Sequence, residues 1–95
     1  MARSLQTTFR LSSPLRDFCG GAAQLPVSAP TIREALRQIA VSHPELYRSI
    51  CDETGAVRRH VNLFINSSNT RDLEGLDSEL APGDVVTVLP AVSGG

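Results

Sequence analysis

The C-terminal segment carries the residues whose chemistry is clearest from the sequence. The chain ends in Ser93-Gly94-Gly95. Because glycine has no Cβ, no side chain of the last two residues shields the terminal carboxylate. A second protein can thread such a narrow segment into a restrictive channel and activate the Gly95 carboxylate. We therefore expect Ala91, Val92, Ser93 and Gly94 to enter the active site of a partner.

A short hydrophobic strand is predicted immediately before this segment. The β-branched run from Val85 to Leu89 lies between Pro82-Gly83 and Pro90. Proline or glycine residues at both ends of such a run are typical of the boundaries of a short buried strand. Proline followed by glycine also predicts a type II turn that leads into the strand. We predict a folded domain over residues 1–90 and a flexible diglycine tail over residues 91–95.

Other candidate reactive residues give weaker signals. The spacing of the cysteines and histidines fits neither a zinc site nor a disulfide framework, and no motif assembles a nucleophile with a base. A glycine pair between two predicted strands is typical of a turn. We expect no catalytic and no metal-binding residues among Cys19, Gly20, Gly21, His43, Cys51 and His60.

Composition limits the class of protein and its partners. The 95 residues suffice for one domain, and the formal net charge of −1 does not suit a nucleic-acid binder. No apolar run reaches the ~18 residues that a membrane span needs. We expect a cytoplasmic protein with neither a nucleic-acid partner nor a membrane partner. All nine basic residues are arginine, so the chain cannot accept an isopeptide bond on a lysine of its own.

The periodicity of hydrophobic residues predicts an α+β domain. Residues 5–11 alternate as a strand, Pro26 restricts the next strand to a sheet edge, and Thr31 begins a helix that ends before Pro44. Four further elements are predicted before the final strand. They are a short turn over residues 45–50, a strand over residues 61–66, an edge strand over residues 70–73 and a helical turn between Leu76 and Leu80.

The sequence resembles the ubiquitin-like sulfur carriers in two segments and in length. The segments are Arg59-His60-Val61-Asn62-Leu63-Phe64-Ile65-Asn66 and Ala81-Pro82-Gly83-Asp84 followed by Val85 to Gly95. This family includes the small subunit of molybdopterin synthase and the thiamine carriers, and the cysteine-biosynthesis type is the most similar. The resemblance implies a β-grasp fold with a mixed sheet of four or five strands, one main helix on one face, and the first and last strands parallel at its centre.

The resemblance also implies a function and a set of partners. An activating enzyme would use ATP to adenylate the Gly95 carboxylate, and a sulfur donor would convert the adenylate to a thiocarboxylate. The carrier itself would bind no cofactor. Its further partners would be a sulfur-acceptor synthase, most consistent with cysteine biosynthesis, and a metalloprotease that processes the C-terminus.

Alternation in the last strand predicts a docking surface beside the tail. If Val86 and Val88 point into the core, Thr87 and Leu89 lie on the outer face with Phe64. Together with Pro90, these residues form the predicted partner-docking surface, in line with the family resemblance. Arg58 and Arg59 suit either electrostatic steering toward an acidic partner or simple solvation.

Three alternatives remain open at this stage. Besides a sulfur carrier for cysteine biosynthesis, they are a sulfur carrier for another product (molybdopterin, thiamine or a secondary metabolite), a protein modifier conjugated through Gly95, and an interaction domain whose tail has no function.

Overall fold

The computed structural model describes residues 6–90 as a five-stranded mixed sheet with two helices on one face. The strands are β1 (Gln6–Leu11), β2 (Gln24–Ser28), β3 (Val61–Ile65), β4 (Ser68–Asn69) and β5 (Val85–Pro90). A four-residue helix, α1 (Ser13–Arg16), lies between β1 and β2, and the two helices that cover the sheet are α2 (Ile32–Ser42) and α3 (Pro44–Ile50). Short 3₁₀ turns span Asp17–Cys19, Thr70–Asp72 and Gly75–Asp77.

The strand order places the first and last strands together at the centre of the sheet. The order is β2-β1-β5-β3-β4, with β5 parallel to β1 and antiparallel to β3. The predicted central parallel pair is confirmed. So is the position of Pro26, which lies in the edge strand β2, where its missing N–H costs no internal ladder bond.

The core forms between the sheet and helices α2 and α3. Period-two alternation buries one face of each central strand, and helical periodicity buries one stripe of α2. Thr7 is a polar member of the inner face, and its hydroxyl donates to the Val27 carbonyl at 3.0 Å. The largest buried apolar side chains are Phe9, Ile32, Ile39, Leu46, Ile50, Leu63, Val61, Val86 and Val88.

Local polar contacts set the bounds of α2 and of the turn before β5. The Thr31 hydroxyl accepts a hydrogen bond from the Glu34 N–H at 3.3 Å, which confirms the predicted N-cap. Asp84 N–H donates to the Ala81 carbonyl at 3.0 Å, and Gly83 has φ of +89°. This is the predicted type II turn, whose third position requires positive φ.

Two predictions about the elements are wrong. Residues 70–73 do not form an edge strand; Ser68–Asn69 pairs with β3, and Thr70–Asp72 is a 3₁₀ turn. The Asn69 side chain accepts from the Arg71 N–H at 2.9 Å, a local bond that favours the turn over further pairing. Residues 45–50 belong to the seven-residue helix α3 rather than to a single turn.

The two remaining segments agree with prediction in part. The 3₁₀ turn over Gly75–Asp77 ends before Leu80, which is buried in the core while Leu76 packs against its border. The connection between β1 and β2 contains α1 and a 3₁₀ turn, and it ends at Gly20 and Gly21, both with positive φ. That glycine pair is therefore a turn, as predicted.

None of the helices within residues 6–90 is long and apolar enough to cross a membrane.

Candidate functional site

The candidate site begins at the C-terminal end of β5, the strand from which the tail continues. β5 is held by a ladder on each side: Val88 is level with Leu11 of β1, and Leu89 is level with Asn62 of β3. A central strand paired along both sides is among the most firmly held parts of a sheet, so the end of β5, from which the tail continues, has a fixed position. Residues Ala91, Val92, Ser93, Gly94 and Gly95 lie outside the described residues, so their predicted role stays a prediction.

The sheet face opposite α2 and α3, called here the open face, carries three of the four predicted docking residues, and the place of Pro90 in the docking surface stays a prediction. Phe64 and Thr87 are directly paired across β3 and β5, and both are partly exposed. Leu89 is 42% exposed and stands next along β5 on the same face. The structure thus brings Phe64, Thr87 and Leu89 together as a small, partly apolar patch beside the end of β5.

Sequence analysis did not single out three arginines that lie near this patch. Arg10 is level with Thr87 in the parallel ladder, and Arg10 and Arg16 line one open depression with Leu89. On the other side of β5, the Arg71 guanidinium donates to the Asn62 side chain and to the Val61 carbonyl. The parallel pairing of β1 with β5 was the signal that could have located Arg10, because it brings both carboxyl ends to one end of the sheet.

The two cysteines differ in environment. Cys51 is buried in the core, and burial raises the pKa of its thiol to about 11. A thiol of that pKa stays protonated at neutral pH and is a poor nucleophile. Cys19 is partly exposed, with its Sγ 3.3 Å from the Ala22 carbonyl and 3.5 Å from the Arg16 carbonyl. Within residues 6–90, no three His, Cys, Asp or Glu side chains gather as a metal site.

The fold and the site define a class of protein: a ubiquitin-like β-grasp domain whose central strand leads directly into a diglycine C-terminus. The ThiS family model matches residues 10–95. The chain therefore belongs to the ThiS family of ubiquitin-like sulfur carriers.

Individual relatives are consistent with this assignment. The sulfur carrier protein CysO of Mycobacterium tuberculosis is 29% identical over 93 residues, which cover 96% of this chain and all of that protein. A chain in the crystal structure of the Amycolatopsis orientalis BexX/CysO complex matches with a TM-score of 0.85 and 28% identity, over 94% of this chain and 99% of that one.

A solved modifier protein is similar to the same extent. The solution structure of small archaeal modifier protein 1 from Methanosarcina acetivorans matches with a TM-score of 0.82 and 30% identity, covering 99% of this chain and 100% of that one. The predicted β-grasp fold is confirmed. The relatives are named as carrier and modifier proteins, and the predicted sulfur carrier family is confirmed with them.

Proposed function

We propose that this protein carries sulfur as a thiocarboxylate at Gly95. The observation that carries the proposal is that the match to the ThiS family runs through the terminal glycine pair, which only three residues separate from the end of the central strand β5. The domain supplies a rigid base for the tail, and the reactive group is the C-terminal carboxylate. In this proposal the enzymes that use the carrier supply all catalytic groups, and the activating enzyme uses ATP as its co-substrate.

The proposed chemistry has two stages. The Gly95 carboxylate attacks the α-phosphorus of ATP in the activating enzyme, which forms an acyl adenylate and releases pyrophosphate. The terminal sulfur of a persulfide donor then attacks the acyl carbon and displaces AMP. A further thiol cleaves the resulting S–S bond, becomes oxidised to a disulfide with the donor sulfur, and leaves the thiocarboxylate on the carrier.

The proposed destination of the sulfur is cysteine biosynthesis. The support is the 29% identity to a sulfur carrier protein CysO over nearly the whole of both chains. The thiocarboxylate sulfur would act as the nucleophile in an acceptor synthase, with the tail inside its active site.

Intact-mass measurement tests the sulfur-loading step. We expect incubation with the activating enzyme of the same organism, ATP and a persulfide donor to replace one oxygen of the chain by one sulfur. Omitting ATP is the control and should leave the mass unchanged. An unchanged mass in the complete reaction would contradict the proposal, provided that the same enzyme preparation loads sulfur on a second carrier protein.

The open-face patch is proposed to dock the acceptor synthase. Leu89→Asp would place a charge in a contact that must lose its water, so we expect the dissociation constant for the synthase to rise about tenfold or more. Val41→Asp is the matched control, because Val41 is 86% exposed on α2, across the domain from the patch. Calorimetric titration of both variants measures the effect. Equal affinities for the two variants would remove the open face from the interface.

A second function has its own support. The similarity to a small archaeal modifier protein, at a TM-score of 0.82, favours conjugation of Gly95 to lysines of other proteins. Tagged carrier expressed in the native cell would then appear in covalent species of higher mass that resist denaturation and reduction. Because the chain lacks lysine, such species would not be lysine-linked chains of the protein itself.

A further inference from the structure

Five arginines lie in the segments that meet at the C-terminal end of β5. The parallel strand β1 ends at the same end of the sheet as β5, and the antiparallel strand β3 begins there. Arg10 and Arg16 therefore lie on the β1 side, while Arg58, Arg59 and Arg71 lie on the β3 side. These five residues are called the arginine cluster below.

Main-chain carbonyls, rather than carboxylates, orient three members of the cluster. Arg16 Nε donates to the Leu11 carbonyl at 3.1 Å, and Arg58 Nε donates to the Arg48 carbonyl at 2.8 Å. Arg71 Nη2 donates to the Val61 carbonyl at 3.0 Å and to the Arg59 carbonyl at 3.3 Å. A carbonyl fixes a guanidinium in place without neutralising its charge, so the cluster retains its positive charge.

The ion pairs of the described residues lie elsewhere. Within residues 6–90 they join Arg33 to Asp77 and Arg37 to Glu34, and both arginines belong to α2. Asp52 and Glu53 line one depression with Arg58 on the helix side of the domain. Hydrogen bonds from the hydroxyl and N–H of Thr54 lower the pKa of Asp52, so this carboxylate is ionised and offsets part of the charge of Arg58.

The opposite end of β5 is acidic. Asp84 immediately precedes the strand, and its carboxylate accepts from the Asn66 side chain at 3.1 Å. Glu74 and Glu79 line one open depression with Asn66. The domain thus has a positive end, from which the tail continues, and a negative end, although its formal net charge is only −1.

We propose that the arginine cluster docks on a carboxylate-rich rim around the channel of the activating enzyme that receives the tail. This inference rests on the proposed function and names the chemistry of its partner. Arginine pairs with carboxylates through two parallel N–H donors, so several guanidinium groups on one end of the domain fix the orientation of a partner as well as attract it. The separated charges would turn the tail end toward an acidic surface during the encounter.

Position and charge favour a protein surface over the nucleotide or a nucleic acid. Five residues of extended chain span up to about 17 Å, so the acyl phosphate formed on Gly95 is remote from the cluster when the tail is extended in a channel. With a formal net charge of −1 and an acidic opposite end, the domain does not offer the extended basic surface that nucleic-acid binding requires.

Association kinetics with the purified activating enzyme test the docking proposal. Arg10 and Arg59 are exposed, so R10Q/R59Q should fold as the parent chain does. We expect it to associate about tenfold more slowly than the parent chain at low salt, with little difference at high salt, where charges are screened. R33Q/R37Q is the matched control: it removes the same charge from α2 and should associate at nearly the parent rate.

Several results would overturn the docking proposal. These are an unchanged rate for R10Q/R59Q, an equal loss in R33Q/R37Q, or a difference that persists at high salt. The fraction of carrier that gains sulfur distinguishes failure of the docking proposal from failure of the proposed sulfur carriage. If the parent chain binds but gains no sulfur, sulfur carriage fails, whereas R10Q/R59Q should reach the parent's loaded fraction at saturating enzyme.

Discussion

Removing Gly95 alone is expected to lower the rate of sulfur loading by at least about 100-fold, because a displacement of even 1 Å at a reacting centre can cost that much. The shortened chain would still end in a glycine carboxylate, that of Gly94. On the proposed mechanism, its reactive carbon would lie about 3.5 Å short of the position that the carbon of Gly95 takes in the activating enzyme. Single-turnover loading followed by intact mass measures the rate.

The control for this prediction is the stability of the domain. The core is built from side chains between Phe9 and Val88, so the deletion should leave the melting temperature unchanged. A second chain, extended by one alanine beyond Gly95, keeps every native residue but displaces the carboxylate outward, and it should load as poorly. Loading of either chain at the parent rate would show that the position of the carboxylate does not matter.

Phe9→Ala is expected to destabilise the domain by about 3–5 kcal/mol. Phe9 is 0% exposed and lies in β1, level with Val86 of the central strand. Removing its ring would leave a cavity between the sheet and the helices. Since a domain of this size has only about 5–15 kcal/mol in total, much of the variant would unfold near physiological temperature. Chemical denaturation followed by circular dichroism measures the loss.

Phe18→Ala is the matched control for this substitution. Phe18 is 39% exposed in the turn that follows α1, so its truncation should cost about 1 kcal/mol or less, in the range of surface changes. Comparable losses for the two variants would mean that Phe9 does not occupy the structural centre of the domain.

Strand and helix positions were predictable where burial or a cap determined them. Alternation identified Phe9 and Leu11 as inward-facing residues, Pro26 placed its strand at an edge, and Thr31 marked the start of α2. In each case a single physical requirement, such as burial of one face or a missing donor, acts on neighbouring residues in the sequence. Such requirements can be recognised without knowing the tertiary structure.

The error over residues 70–73 involves one contact between distant parts of the chain besides a local one. Asn69 caps the 3₁₀ turn locally, and the Arg71 side chain also reaches Asn62 and the Val61 carbonyl at the start of β3. The gathering of Arg10 and Arg71 around one end of β5 likewise depends on sheet order rather than on spacing along the chain. Patterns along the sequence do not contain this information.

The pairing of β1 with β5 has a consequence for synthesis on the ribosome. The central position of the sheet stays vacant until residues Val85–Pro90 have emerged, because this strand contributes both inner ladders. Bringing β1 and β5 together closes a long segment of chain, which is slow compared with local helix formation. A nascent chain that stalls earlier exposes the apolar sides of β1 and β3, which makes it a substrate for proteolysis.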